Sequence, residues 1–145
     1  MRTADATGIE LIYACGYTPY PATTPDSRPP HIISSNTAAI AKTALGAEKS
    51  VPVLHFPDTE AAISEAKTLG FKIIVIEQSE RSLNIFDFHS TEPLALVLGN
   101  EVTGASPSEL ALADTILEIP MIGAKESLGV SVAAAIAMYQ LRYGA

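Results

Sequence analysis

The chain has 145 residues, 48% of them hydrophobic, and carries sixteen Asp and Glu against nine Lys and Arg for a formal net charge of −7. That length suits one domain with a core of its own, and no apolar run approaches the roughly 18 residues that a membrane span needs. The acidic balance excludes a broadly basic nucleic-acid surface, so such affinity would rest on a local rim around Arg2, Arg28, Lys42, Lys49 and Lys125, modest and salt-sensitive.

In chain order, Arg2 to Thr7 reads as a short helix stopped by Gly8, with no basic-then-apolar leader pattern. Ile9 to Cys15 is an apolar run bounded by glycines, the pattern of a buried strand. Cys15 is the single cysteine, expected as a buried inert thiol, and the lack of an internal disulfide suits a reducing cytoplasm. Gly16 to Pro30 holds five prolines and reads as an exposed loop, either a plain connection or a mobile flap near substrate. Next, Ser34-Ser35-Asn36 offers caps for an Ala-rich helix that runs to Leu45 and closes at Gly46. Val51 to Phe56 reads as a strand, with Pro52 tolerable near its start. Asp58 then caps an amphipathic helix with Ala61, Ala62, Ile63, Ala66 and Leu69 inward and Gly70 as its stop. Phe71 to Ile76 is a strand apolar throughout except at Lys72, followed by polar Glu77-Gln78-Ser79, and Asn84 to His89 reads as irregular.

The last third is the most informative stretch. The apolar run Leu94 to Leu98 ends abruptly in Gly99-Asn100-Glu101, with a second glycine at Gly104 and a polar helix-like segment after it. A second strand-like run, Thr115 to Met121, breaks at Gly123 and passes through Lys125-Glu126-Ser127-Leu128-Gly129 into a small-residue helix, Val130 to Tyr143. Strands alternating with helices, each strand apolar on both faces, imply an α/β fold: a mostly parallel sheet with helices on both faces. Ligands of such sheets bind in the crevice past the carboxyl ends of the strands, which is where these glycines and polar groups cluster.

These residues resemble the SpoU-type RNA 2′-O-ribose methyltransferases of the SPOUT superfamily. Leu96-Val97-Leu98-Gly99-Asn100-Glu101 with Gly104 is similar to that family's motif 2, and Ile119-Pro120-Met121 with Lys125-Glu126-Ser127-Leu128 and Val130-Ser131-Val132-Ala133 to motif 3. Motif 1 is an asparagine followed six residues on by an arginine. Arg2-Thr3-Ala4-Asp5-Ala6 matches its second half, and the first half would precede Met1. Asn36 and Lys42 repeat the spacing but match less well. The resemblance therefore implies a single domain over residues 1–145, truncated at its N-terminus, with a C-terminal trefoil knot (the SPOUT α/β knot), S-adenosyl-L-methionine as cofactor, tRNA or rRNA as substrate, and a homodimer without membrane or metal. An alternative is a dimeric cofactor- or RNA-binding module that has lost methyl transfer. Small residues on the last helix (Ala133, Ala134, Ala137, Met138, with Tyr139 and Leu141) suit a twofold contact through it.

Residue by residue, the resemblance implies that Arg2 activates the ribose hydroxyl. Asn100 and Glu101 match the motif 2 polar pair, with Glu101 either ordering its loop by accepting backbone N–H bonds or lining the substrate side. Ser127 fits a group near the reacting centre and, equally, an ordinary N-cap. Leu98, Gly99, Gly104, Ile119, Met121 and Leu128 would hold the cofactor, the glycines by letting backbone approach it closely. His31, His55 and His89 are scattered without metal-ligand spacing, so no metal site is expected. Gly129 departs from the pattern, standing where the family usually has an asparagine that helps order the site.

Overall fold

Every ladder between strands in the described residues is parallel, as expected of strands that read apolar on both faces. This computed structural model describes residues 1–144. The chain forms two compact units, residues 1–62 and residues 63 onward, and the boundary between them falls inside a helix. Both combine parallel strands with helices, an α/β fold. Among the described residues no helix is long and apolar enough to cross a membrane.

In the first unit, helix α1 (Arg2–Ala6) ends at Thr7, whose buried hydroxyl donates to the Thr3 carbonyl at 2.8 Å. Strand β1 (Ile12–Cys15) pairs with β2 (Val53–Phe56), Ile12 beside Val53 and Cys15 beside Phe56; Cys15 itself is half-buried. Helices α2 (Pro30–Ala44) and α3 (Ala47–Ser50) lie between them in sequence. Pro29 is the N-cap of α2 and Pro30 its first residue, where a missing N–H costs nothing and a fixed φ helps. The helix therefore starts a turn before Ser34-Ser35-Asn36, which lie inside it and cap nothing. Its end comes at Leu45, left-handed at φ 53°, followed by Gly46 at φ 102°.

The proline-rich segment is tied down around Arg28. Its Nε and Nη2 donate to the two carboxylate oxygens of Asp26 (2.9 and 2.6 Å), while Nη1 and Nη2 reach the carbonyls of Tyr20 and Pro21, both at 2.9 Å. The guanidinium lies 3.5 Å from the Tyr20 ring centroid, and that ring stacks on His55, whose Nε2 meets the Gly16 carbonyl at 3.0 Å. The Arg28 fork, together with the Thr23 and Arg28 backbone amides, holds the Asp26 carboxyl well below the usual carboxylate range. The segment is thus a loop held around Arg28 by its own side-chain and carbonyl contacts. Arg28, with all of these ties, also drops out of the expected basic rim.

Helix α4 (Thr59–Thr68) spans the unit boundary, and the Asp58 carboxylate accepts from the Ala61 amide at 2.7 Å. Ala62, Ile63 and Ala66 are buried as expected, but Leu69 is exposed, since the helix has ended at Thr68 and the chain turns at Gly70 (φ 86°).

The second unit is a four-stranded sheet of β3 (Lys72–Ile76), β4 (Leu83–Asn84), β5 (Leu94–Leu98) and β6 (Thr115–Glu118), in the order β4-β6-β3-β5. Ile74, Ile85, Leu117 and Ala137 form its fully buried centre, with Ile76, Phe88, Leu94, Leu96, Ile119 and Leu141 packed around them. Ile85 belongs to a 3-10 turn, Ile85–Asp87, within the segment that reads as irregular. Burying a side chain of that size contributes roughly 1.5–3 kcal/mol, enough to pin a stretch with no periodicity of its own. Helix α5 (Pro107–Leu112) opens on a capping box, Ser106 accepting from the Glu109 amide and Glu109 from the Ser106 amide. Helix α6 (Val130–Tyr143) turns Ala134 and Ala137 inward and leaves Val132, Tyr139 and Tyr143 exposed.

Candidate functional site

Three strand ends come together in the second unit. In register, Ile76 of β3 lies beside Leu98 of β5 on one side and Leu117 of β6 on the other. Glu77 and Gly99 follow β3 and β5 directly and Glu118 is the last residue of β6, so the loops after β5 and β6 emerge at one end of the sheet on either side of β3. A crevice at the carboxyl ends of parallel strands is the general ligand site of such sheets.

The loop after β5 closes on itself. Asn100 and Gly104 exchange both backbone hydrogen bonds (3.1 and 2.9 Å), and the Asn100 side-chain oxygen accepts from the amides of Val102 and Thr103. A Cβ on Gly99 would sit 2.4 Å from the Ala105 nitrogen and 2.5 Å from the Gly104 carbonyl carbon. Gly104 has φ +68°, and a Cβ there would lie 2.4 Å from Glu77 Oε2. Both glycines thus have an internal reason: the chain folds back onto itself where they stand. Glu77 completes the closure, its Oε2 accepting from the Ala105 amide at 2.8 Å and Oε1 from the Gln78 amide at 3.0 Å.

The loop after β6 has the opposite character. No backbone amide in residues 121–128 donates to another group of the described chain. Its tie to β3 runs through the Glu126 carbonyl, which accepts from Gln78 Nε2 at 3.2 Å. Ile119 packs on the core, Met121 is half-buried, and Ser127 and Leu128 are exposed. The Ser127 hydroxyl accepts from the Gly129 amide at 3.1 Å, and Gly129, not Ser127, is the N-cap of α6. The N-cap reading of Ser127 therefore falls, because the cap lies two residues beyond it and the helix begins at Val130. Free amides beside Ile119, Met121 and Leu128 are groups that fit a purine, offering backbone donors to its edge and apolar side chains to its faces.

Leu98, Gly99, Asn100, Glu101, Gly104, Ile119, Met121, Ser127 and Leu128 thus all lie on these two loops or the strand ends that feed them, whereas Arg2 lies exposed on α1 of the first unit. Glu101 is exposed, and the acceptors that order its loop are Asn100 and Glu77. Two residues were missed from sequence, Glu77 and Gln78. Their only signal is a polar pair directly after an apolar strand, at the edge where ligands bind.

The SpoU rRNA Methylase family model matches residues 28–139. A tRNA (guanosine(18)-2′-O)-methyltransferase of Escherichia coli (strain K12) is 31% identical over 140 residues, 97% of this chain and 54% of that protein. One from Thermus thermophilus is 30% identical over 140 residues, 97% of this chain and 64% of its own. The chain thus spans between about half and two thirds of these relatives. Among solved structures, the Aquifex aeolicus TrmH/SpoU tRNA modifying enzyme superposes with a TM-score of 0.72 at 30% identity, over 96% of this chain and 63% of that one. The SpoU methyltransferase AviRb from Streptomyces viridochromogenes, in complex with AdoMet, gives 0.61 at 26% identity, over 96% and 51%.

Proposed function

The chain belongs to the SpoU rRNA Methylase family, and from that premise we propose that it transfers a methyl group from S-adenosyl-L-methionine to a ribose 2′-hydroxyl of tRNA or rRNA. The observation that carries this reading is the pair of unlike loops at one sheet edge. One is closed by Asn100 and Glu77; the other has its amides free beside Ile119, Met121 and Leu128. The AdoMet complex of AviRb, a protein of like fold, supports the same cofactor here. Bound at these loops, the cofactor would supply an activated methyl on a sulfonium leaving group. The chain's own part is then positioning, which can supply most of such a barrier. Arg2 is assigned to the ribose hydroxyl by its motif, and Ser127 to the reacting side of the second loop.

Insertion of β6 between β3 and β4, strands already laid down earlier in the chain, supports a C-terminal trefoil knot. The whole chain would then serve as one methyltransferase domain in the cytoplasm, working as a homodimer. The dimer face differs from the small-residue one read from sequence, since Ala134 and Ala137 are used inside the unit. Val132, Ile136, Tyr139 and Tyr143 instead fall on one helical stripe, and three of them are exposed. A second reading, a binding module without transfer, is favoured by Gly129, which brings no side chain to the start of α6.

Tritium transfer from labelled cofactor to bulk tRNA or rRNA separates the two readings. Incorporation at ribose is the expected result, and cofactor binding without incorporation would leave the module. Titration calorimetry with S-adenosylhomocysteine should show binding to the wild type and at least tenfold weaker binding to Leu128→Glu. Equal affinities would remove the pocket from the second loop.

A further inference from the structure

We infer that Glu77 and Gln78 are positioning residues for the cofactor, a two-residue clamp that sets the spacing of the loops after β5 and β6. The inference rests on the proposed function and adds to it residues that no motif contains. Strand β3 lies between β5 and β6, so its end is the one place from which adjacent side chains reach both flanking loops. Glu77 is anchored by its own backbone, its amide donating to the Leu117 carbonyl at 3.0 Å. From there its carboxylate takes the Ala105 amide of the first loop, and its Oε2 occupies the space beside Gly104 that any larger residue would need. Gln78 points to the other loop and donates to the Glu126 carbonyl, two residues before Leu128.

The two contacts do unequal work. The first loop is already closed by Asn100, so Glu77 fixes where that closed loop sits relative to the sheet. Among the described residues no amide between 121 and 128 of the second loop donates a hydrogen bond, so the Gln78 contact is what ties that segment to β3. Holding both loops in their bound spacing before ligand arrives lowers the ordering cost of binding, which appears as affinity. Loss of the clamp should therefore act on cofactor binding more than on folding, because neither residue belongs to the buried centre of the sheet.

The test measures amide hydrogen exchange at Ala105, calorimetric affinity for S-adenosylhomocysteine, and thermal melting, on the full chain. For Glu77→Ala we expect at least tenfold faster exchange at Ala105 and at least fivefold weaker binding, with a rise in KM for cofactor larger than any fall in kcat. Glu77→Gln, which keeps one side-chain acceptor, should recover part of both effects. Gln78→Ala should weaken binding while leaving Ala105 exchange as it was. Unchanged exchange at Ala105 in Glu77→Ala, or unchanged affinity despite faster exchange, overturns the clamp while wild-type binding stands. Should the wild type itself bind no S-adenosylhomocysteine, the proposed function falls first and the clamp with it.

Discussion

Gly129 is the chain's departure from the motif it otherwise follows, and its backbone gives a reason for the glycine. It sits at φ 79°, ψ 146° as the N-cap of α6, in a region essentially reserved for glycine, where another residue costs roughly 1–3 kcal/mol. Nothing lies within 4 Å of a Cβ built there, so the cost of a substitution is backbone strain and not collision. Against it stands the cap. Asparagine at an N-cap accepts from a first-turn amide, but its gain over glycine there is only a few tenths of a kcal/mol. Strain wins by about 1–2 kcal/mol, and at about 3–4 °C per kcal/mol for a chain of this size Gly129→Asn should melt roughly 3–8 °C below wild type. Gly129→Ala carries the strain without the cap and should melt as low or slightly lower. The assay is thermal unfolding followed by circular dichroism. An asparagine variant that melts above wild type, or an alanine variant within a degree of it, would refute the reasoning and return Gly129 to an unconstrained substitution.

Two further outcomes follow from particular contacts. Since Asp26 is held below the usual carboxylate range by the Arg28 fork first and by backbone amides after it, its contribution to stability is complete above the unfolded value of about 4. That contribution is lost as pH falls below this value toward the folded one, so Asp26→Asn should flatten the acid side of the melting-temperature profile between about pH 4 and 2; parallel profiles would count against it. Static light scattering should give about twice 15.2 kDa for the wild type and a single-chain mass for Tyr139→Asp, whereas a dimer that survives this change lies elsewhere than the outer stripe of α6.

Much of the chain was legible because its signals are local. Period and punctuation place α6 at Val130–Tyr143, β5 at Leu94–Leu98 and the Asp58 cap of α4. The misplaced start of α2 is also a local matter: Ser34-Ser35-Asn36 is a strong cap signal, and Pro30 at a first helical position is a stronger start. Where legibility failed, the controlling contact joins residues distant in sequence. Ile85 is buried by Ile74, Leu117 and Ala137, none of them its neighbours. Glu77 reaches Ala105 and Gln78 reaches Glu126 across 28 and 48 positions.

The glycines of the first loop show the same limit in its sharpest form. A glycine after a strand at a ligand-binding edge has two sufficient causes, room for a ligand or room for the chain itself, and composition cannot separate them. Here the built Cβ of Gly99 meets the Ala105 and Gly104 backbone, and Gly104 stands at φ +68° in the left-handed region, so the closed path of the chain alone accounts for both. A bulky residue at Gly99 would therefore abolish cofactor binding by opening the loop, whether or not cofactor touches it, and such a loss could not map the pocket. Leu128 is the better probe. Its exposed side chain lies on the loop that Gln78 holds only through a carbonyl, so a charge placed there changes the chemistry offered to ligand while leaving the backbone's own contacts in place.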